Sequence, residues 1–172
     1  MTETTLTDRV YSDTATQNSV LGNEVDRERA LQVLDELIRT CKNEERGLRL
    51  AAEGLTDGDL RVLFKHYAWQ TARFVEELRE EAAHLMRSGK EREAPSSNRF
   101  LPCGWIGVRS ALNVRDEAGI ISECGQGVHA ALKVYEDALG VPLPGRVNNL
   151  LREQFLGVKK THDCLLALSR LD

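Results

Sequence analysis

The sequence predicts an all-α protein, a bundle of four long helices, and three observations carry this prediction. Aromatic residues make up only 5% of the chain and prolines only 4 of its 172 residues, whereas Leu, Ala and Glu are abundant. Apolar residues recur at alternating spacings of three and four along four segments, which is the period of one helix face. A chain of this length has room for one core, so the four segments are expected to form a single bundle.

The first helix is predicted over residues 25–54, after a polar segment at the start of the chain. Met1 to Glu24 is rich in Thr, Ser, Asn and Asp and contains no apolar run, so we expect a disordered tail there. Gly54 is expected to end the helix. The apolar stripe of this helix consists of Leu31, Leu34, Ile38, Cys41, Leu48, Ala52 and Leu55.

The second helix is predicted to follow a short turn, residues 56–59, in which Thr and Asp side chains can cap it. It should stop near Ser88 and Gly89. Its apolar stripe consists of Leu60, Phe64, Tyr67, Thr71, Phe74, Leu78, Ala82 and Leu85.

The segment from Lys90 to Gly104 contains two prolines and two serines and interrupts the helical pattern. Its 15 residues reach at most about 50 Å when extended, whereas a helix of 27 residues is about 40 Å long. The segment can therefore cross the whole bundle, which makes helices two and three parallel and gives the up-down-down-up order of ferritin-like folds. Phe100, Leu101 and Trp105 supply apolar anchors for this crossover. The alternative is a plain up-down bundle with a loose excursion.

Two further helices are predicted after the crossover. Helical periodicity is weak over residues 105–112, clear from Ile121 to Ala138, and returns after a connection rich in Gly and Pro, residues 140–145. The stripes of these helices consist of Ile121, Cys124, Val128, Ala131, Tyr135 and Ala138, and of Val147, Leu151, Gln154 or Phe155, Val158, His162 and Leu165.

Net charge and cysteine content limit the classes of partner and the cellular compartment that we expect. The formal net charge of −4 argues against nucleic acid as the main partner, because phosphate binding needs a basic surface. We expect no membrane segment, since no run approaches the roughly 20 apolar residues that span a bilayer. A secretory signal is not apparent either. Cys41, Cys103, Cys124 and Cys164 form no metal-finger spacing, so reduced thiols in a cytoplasmic protein are expected.

Several short motifs lie along the predicted helices: Glu44-Glu45-Arg46-Gly47-Leu48, Glu123-Cys124, Tyr135, Gln154-Phe155-Leu156-Gly157-Val158 and His162-Asp163. Taken together, they resemble the signature of an uncharacterised bacterial family of ferritin-like four-helix bundles, catalogued as a domain of unknown function. The likeness covers Arg29 to Leu171, and it implies a ferritin-like fold without an established activity. This chain departs from the expected pattern at Val128 and His129, which replace an acidic pair.

A complete di-iron centre is not expected from the histidine positions. Such a centre needs a Glu from each of two helices and a Glu-x-x-His motif from each of the other two. Only one of the four histidines, His84, has a Glu three positions before it, Glu81. One such motif cannot complete the centre.

The more specific hypothesis is a metal site with fewer ligands than a di-iron centre. Glu45 and His162 fall in the stripes of the first and last helices, and the crossover topology places them at the same end of the bundle, with Glu123 at a similar height. Glu45, Glu123 and His162 are therefore candidate ligands for iron, manganese or zinc. The alternative is no metal at all, with Glu45 and His162 forming a buried hydrogen-bonded pair and Glu123 at the solvated rim.

Three functions remain open, and enzyme activity has little support because no phosphate loop or nucleophile motif occurs. The first is a structural or interaction role, with a homodimer formed through Val62, Val75 and Leu50, which lie outside the main stripes. The second is a metal-binding or oxidative-stress protein. The third is a small-ligand carrier whose core opens near Gly125 and Gly127.

Overall fold

A computed structural model describes residues 7–88, 111 and 116–170, with side chains from residue 22 onward. All secondary structure in this part of the chain is helical, which confirms the all-α prediction. Four helices are present in the described ranges: α1 (Thr7–Gly54), α2 (Gly58–Arg87), α3 (Glu117–Leu139) and α4 (Gly145–Leu168).

Helix α1 begins well before the predicted start at Val25. It runs from Thr7 to Gly54 and so includes most of the polar segment that the sequence assigns to a tail. No proline interrupts this stretch, and helix propagation needs no apolar face once a helix has formed. The division of the chain into a tail of residues 1–24 and a bundle stays a prediction.

Acidic side chains cap the starts of α2 and α3, where Asp57 and Asp116 each accept a hydrogen bond from a backbone N–H in the first turn. Asp57 accepts a hydrogen bond of 2.8 Å from the backbone N–H of Leu60, as the turn sequence predicts. The carboxylate of Glu117, in the first turn of α3, accepts hydrogen bonds from Thr56 Oγ1 at 2.6 Å and from the backbone N–H of Asp57 at 3.1 Å. These bonds fasten the α1–α2 turn to the start of α3.

The four helices contribute to one apolar core, and the predicted stripes supply most of it. Every stripe residue of α3 is buried, whereas Leu31, Ile38, Tyr67 and Phe74 are only partly buried. The largest fully buried apolar side chains are Leu34, Leu37, Leu48, Leu55, Phe64, Leu78, Ile120, Tyr135, Leu151 and Leu165.

Helix α1 packs against both α2 and α3. Cys41 contacts Tyr135, and Thr56 contacts Glu117, so residue numbers rise along α1 while they fall along α3. These two helices are therefore antiparallel.

Helix α4 packs against α3 and α2. A Cβ atom built on Gly157 would lie 2.7 Å from Cζ of Phe74 and 2.9 Å from Nε2 of Gln70, so the two helices approach closely at this glycine. Further along, Arg146 contacts Glu81. Helices α2 and α4 are therefore antiparallel as well.

The predicted crossover over residues 90–104, with its anchors Phe100, Leu101 and Trp105, lies outside the described residues. None of the helices in the described ranges has a stretch both long and apolar enough to span a membrane.

Candidate functional site

A chain of buried and partly buried hydrogen bonds links all four helices of the bundle. The Tyr135 hydroxyl donates to Oε1 of Gln154 at 2.8 Å, so the thiol of Cys41, 3.2 Å from the same hydroxyl, is the donor to Tyr135. Nε2 of Gln154 donates to Oε2 of Glu77 at 2.9 Å and to the backbone carbonyl of Phe74 at 3.3 Å. We call Cys41, Glu77, Tyr135 and Gln154 the polar layer.

The polar layer is neutral at its centre and satisfies its own hydrogen bonds. Cys41 and Tyr135 are fully buried and Gln154 is 1% exposed, so none of them can exchange a lost bond for water. Burial raises the pKa of the Cys41 thiol and of the Tyr135 hydroxyl well above their usual values, which keeps both protonated. This arrangement suits a structural role.

Glu44, next to the polar layer, is the acidic residue of α1 that faces the core. Its side chain is buried, and Oε2 has no hydrogen-bond partner among the residues that the structure describes. Burial raises the pKa of this carboxyl from 4.5 to about 8, so Glu44 is protonated at neutral pH.

The apolar stripe predicted for α1 assigns this inward position to Glu45, and that prediction is wrong. Glu45 is partly exposed, and its Oε1 accepts a hydrogen bond of 2.7 Å from Nε of Arg49 on the same helix. Leu37 and Glu44 are buried in the seam of α1, each one residue before the predicted positions Ile38 and Glu45. Further along the helix, Ala51 and the predicted Ala52 are both buried.

The same displacement of one residue occurs in α4. Thr161 takes the buried position that the stripe assigned to His162, and its hydroxyl donates to the backbone carbonyl of Gly157 at 3.3 Å. His162 lies at the edge of the helix, partly exposed, with its ring centroid 5.2 Å from that of His129.

Glu123 lies partly exposed on α3, beside the buried Cys124. Burial raises the pKa of the Cys124 thiol well above its usual value, and the charge of Glu123 raises it further, so this thiol is not activated for redox chemistry. Cys41, Cys124 and Cys164 are all free thiols.

The structure does not bring the three candidate metal ligands together. Glu45 pairs with Arg49, while His162 contacts His129, and the described residues contain no group of three or more His, Cys, Asp or Glu that could hold a metal ion. Metal binding by Glu45, Glu123 and His162 stays a prediction.

Glu81, which stands out in the sequence only by its spacing to His84, supplies a second buried carboxylate between α2 and α4. The side chain of Glu81 is 5% exposed, and its Oε2 accepts a hydrogen bond of 2.6 Å from Nε of Arg146. His84 is exposed and takes no part in this pair. An intact carboxylate–guanidinium pair satisfies Glu81 without a metal.

Helix α2 also carries the most exposed apolar surface of the described residues. Val62 is 68% exposed and Trp69 57%, and the Arg73 guanidinium lies 5.4 Å from the Trp69 ring. Two other predicted surface residues are placed differently: Val75 is in the core, and Leu50 is partly buried against it. Of the three residues predicted for an association surface, only Val62 is exposed, and Trp69 is a further exposed residue on the same helix.

A groove of about 330 Å³ lies beside Trp69, between α1 and α2. The carrier hypothesis expected an opening near Gly125 and Gly127, which lie on α3 instead. The residues that line the groove are Arg49, Ala52, Glu53, Lys65, Ala68 and Trp69.

Comparison with known protein families finds a match for this chain. A family model described as Domain of unknown function (DUF2383) matches residues 29–140, well over half of the chain. The match covers α1 from Arg29 onward, α2 and α3, but not α4. No curated protein matches the chain.

Proposed function

The chain belongs to the family described as Domain of unknown function (DUF2383), and from this premise we propose that it is a ferritin-like helical scaffold with a structural or interaction role. The observation that carries the proposal is the polar layer. Groups from all four helices bond to one another between the facing helices, which is where bundles that hold metals place their ligands.

The directions of the helices support the ferritin-like arrangement. The short turns make α1 antiparallel to α2 and α3 antiparallel to α4, and side-chain contacts make α1 antiparallel to α3. Together these relations favour the up-down-down-up order that the sequence predicts.

The residues present do not fit a di-iron centre. Such a centre needs four carboxylates and two histidines that point inward, whereas the polar layer consists of a thiol, a phenol, an amide and one partly exposed carboxylate. Because the lone pairs and protons of these groups are already used within the layer, we derive no metal chemistry from it.

We propose a second copy of the chain as the partner, bound through the exposed face of α2. Val62 and Trp69 lie two turns apart on this face, and exposed aromatic side chains of this kind are common anchors of interfaces. The adjoining groove carries the cations Arg49 and Lys65 together with the anion Glu53. A surface with both signs of charge can pair with itself across a two-fold axis.

The experiment is sedimentation of the full chain over a range of concentrations, compared with two matched variants. Trp69→Glu places a charge at the proposed interface, while Leu156→Glu places one at a similarly exposed residue of α4, 58% exposed. We expect a dimer that Trp69→Glu abolishes and Leu156→Glu preserves. A wild-type chain that stays monomeric, or a dimer that Trp69→Glu leaves intact, would contradict the proposal.

A second candidate function, a metal-binding protein, is favoured by one observation. Oε2 of Glu44 has no hydrogen-bond partner among the described residues, although a buried polar atom normally has one. A cation bound there would satisfy the atom and ionise the carboxyl. Metal retention that depends on Glu44 would distinguish this candidate from the scaffold.

A further inference from the structure

Two histidines of neighbouring helices meet at the surface of the bundle, outside the polar layer. The ring centroids of His129 on α3 and His162 on α4 lie 5.2 Å apart, with the ring planes inclined by 39°. Two imidazoles that bind one tetrahedral ion at about 2.1 Å from each nitrogen place their centroids about 5 Å apart. The spacing of the pair therefore suits a shared metal ion.

A carboxylate holds one of these rings in the orientation that metal-binding histidines usually have. Oδ1 of Asp163 lies 3.3 Å from Nδ1 of His162, and since an ionised carboxylate only accepts, Nδ1 carries the proton. The lone pair of His162 is then on Nε2. Histidines that bind metals generally donate their other ring N–H to such a carboxylate, which fixes the tautomer.

The charged and exposed groups around the two histidines are compatible with a bound cation. Lys159 lies about one turn before His162 on α4, and its ammonium group is paired with Asp163 at 3.0 Å. His129 is exposed and the side chain of His162 is 18% exposed, so an ion can reach the pair together with water ligands.

We propose that His129 and His162 form a two-histidine clamp for a divalent transition-metal ion of the zinc type, which joins α3 to α4. Imidazole nitrogen is a preferred ligand of these ions, and water completes the coordination because the described residues offer no third ligand in place. The clamp is an exchangeable surface site. It is independent of the proposed dimer and of the interior Glu44.

The experiment is a thermal unfolding series on the full chain with and without excess Zn²⁺, together with competition against a chromophoric zinc indicator. A ligand that binds only the folded state raises the melting temperature. We expect zinc to raise it in the wild type and to bind at one ion per chain. Asp163→Asn should weaken this binding by about tenfold or more, because the ring of His162 loses its orienting carboxylate.

Three variants assign the site. His129→Gln should abolish the zinc effect while leaving the zinc-free melting temperature close to that of the wild type, because His129 is exposed. His84→Gln, at an exposed histidine of α2, should retain the full effect. Equal zinc effects in His129→Gln and the wild type would overturn the proposal, and so would a loss in Cys164→Ser with His129→Gln unchanged, since that pattern assigns the ion to the thiol.

Discussion

The hydroxyl of Tyr135 donates a hydrogen bond of 2.8 Å to Oε1 of Gln154, and this bond joins α3 to α4 in the fully buried centre of the bundle. The amide of Gln154 continues the chain to Glu77 on α2, and the thiol of Cys41 continues it to α1. A polar network of this kind is satisfied in only one register of the helices, so it selects that register over others.

Tyr135→Phe is expected to lower the free energy of unfolding by about 1–3 kcal/mol, because Oε1 of Gln154 and the Cys41 thiol both lose their partner in the interior. Urea unfolding measures this as a lower midpoint with an unchanged slope. Tyr67→Phe is the matched control. Tyr67 is only partly buried, so water can replace its lost bond and the change should be smaller. Equal stability of Tyr135→Phe and the wild type would contradict the structural role of the layer.

The stability of the wild type is expected to fall as the pH rises from 5.5 to 7.5, relative to Glu44→Gln, by about 1.4 kcal/mol per pH unit. The folded-state pKa of Glu44, about 8, lies above the ordinary value of 4.5. Between these values the unfolded chain releases a proton that the folded chain keeps, so a higher pH favours unfolding. Urea unfolding at each pH measures the difference.

The neighbouring residue provides the control for this pH dependence. Glu45→Gln removes a carboxylate one position away, which forms an ion pair with Arg49 at the surface. Exposed pairs contribute only about 0–1 kcal/mol, so the stability of this variant should follow that of the wild type across the pH range. A wild-type curve parallel to that of Glu44→Gln would show that Glu44 is not buried as described.

Two glycine substitutions are expected to have opposite signs. Gly125→Ala should stabilise the chain by about 0.5–1 kcal/mol, because alanine favours a helix and no atom lies within 4 Å of the new Cβ. Gly157→Ala should destabilise the chain, since its Cβ would lie 2.7 Å from the Phe74 ring. Melting temperatures of the two variants that shift in the same direction would contradict the α2–α4 contact.

Substitution of Arg146 is expected to destabilise the fold, because Arg146 is the ion-pair partner of the buried Glu81. Arg146→Ala should lower the free energy of unfolding by about 1–2 kcal/mol at pH 7, because the carboxylate of Glu81 stays buried without its partner. This loss of stability is smaller than that for a fully buried ion pair, because Arg146 itself is exposed. Arg79→Ala, which breaks a surface pair with Glu76, should change stability by less than about 0.5 kcal/mol. Similar losses in both variants, in urea unfolding, would contradict this account.

The sequence predicted the helices and most of the core, because apolar periodicity is a local property. It could not choose between Glu44 and Glu45. Two overlapping series with spacings of three and four run along α1: both include Leu34, Cys41, Leu48 and Leu55, and they differ in Leu37, Glu44 and Ala51 against Ile38, Glu45 and Ala52. Since the alternatives are equally apolar, only the packing of the neighbouring helices decides whether Glu44 or Glu45 faces inward.

Contacts between distant parts of the chain could not be predicted from sequence patterns, for a different reason. Glu81 and Arg146 are 65 residues apart, and Cys41 and Tyr135 are 94 apart, so no local spacing signals either pair. Gln154 did fall in the predicted stripe of α4, beside Phe155. The position of an amide side chain, Gln154, in an otherwise apolar stripe was the one sign of the polar layer in the sequence.

The most direct test of the scaffold proposal is the iron content of the full chain after anaerobic loading with ferrous iron and gel filtration, in the wild type and in Glu44→Gln. We predict that neither retains iron in the interior, because the Glu44 carboxyl is protonated and the polar layer uses its own lone pairs. Both should therefore give the same low value. Near-stoichiometric iron in the wild type that is lost in Glu44→Gln would contradict the scaffold and establish a metal-binding protein.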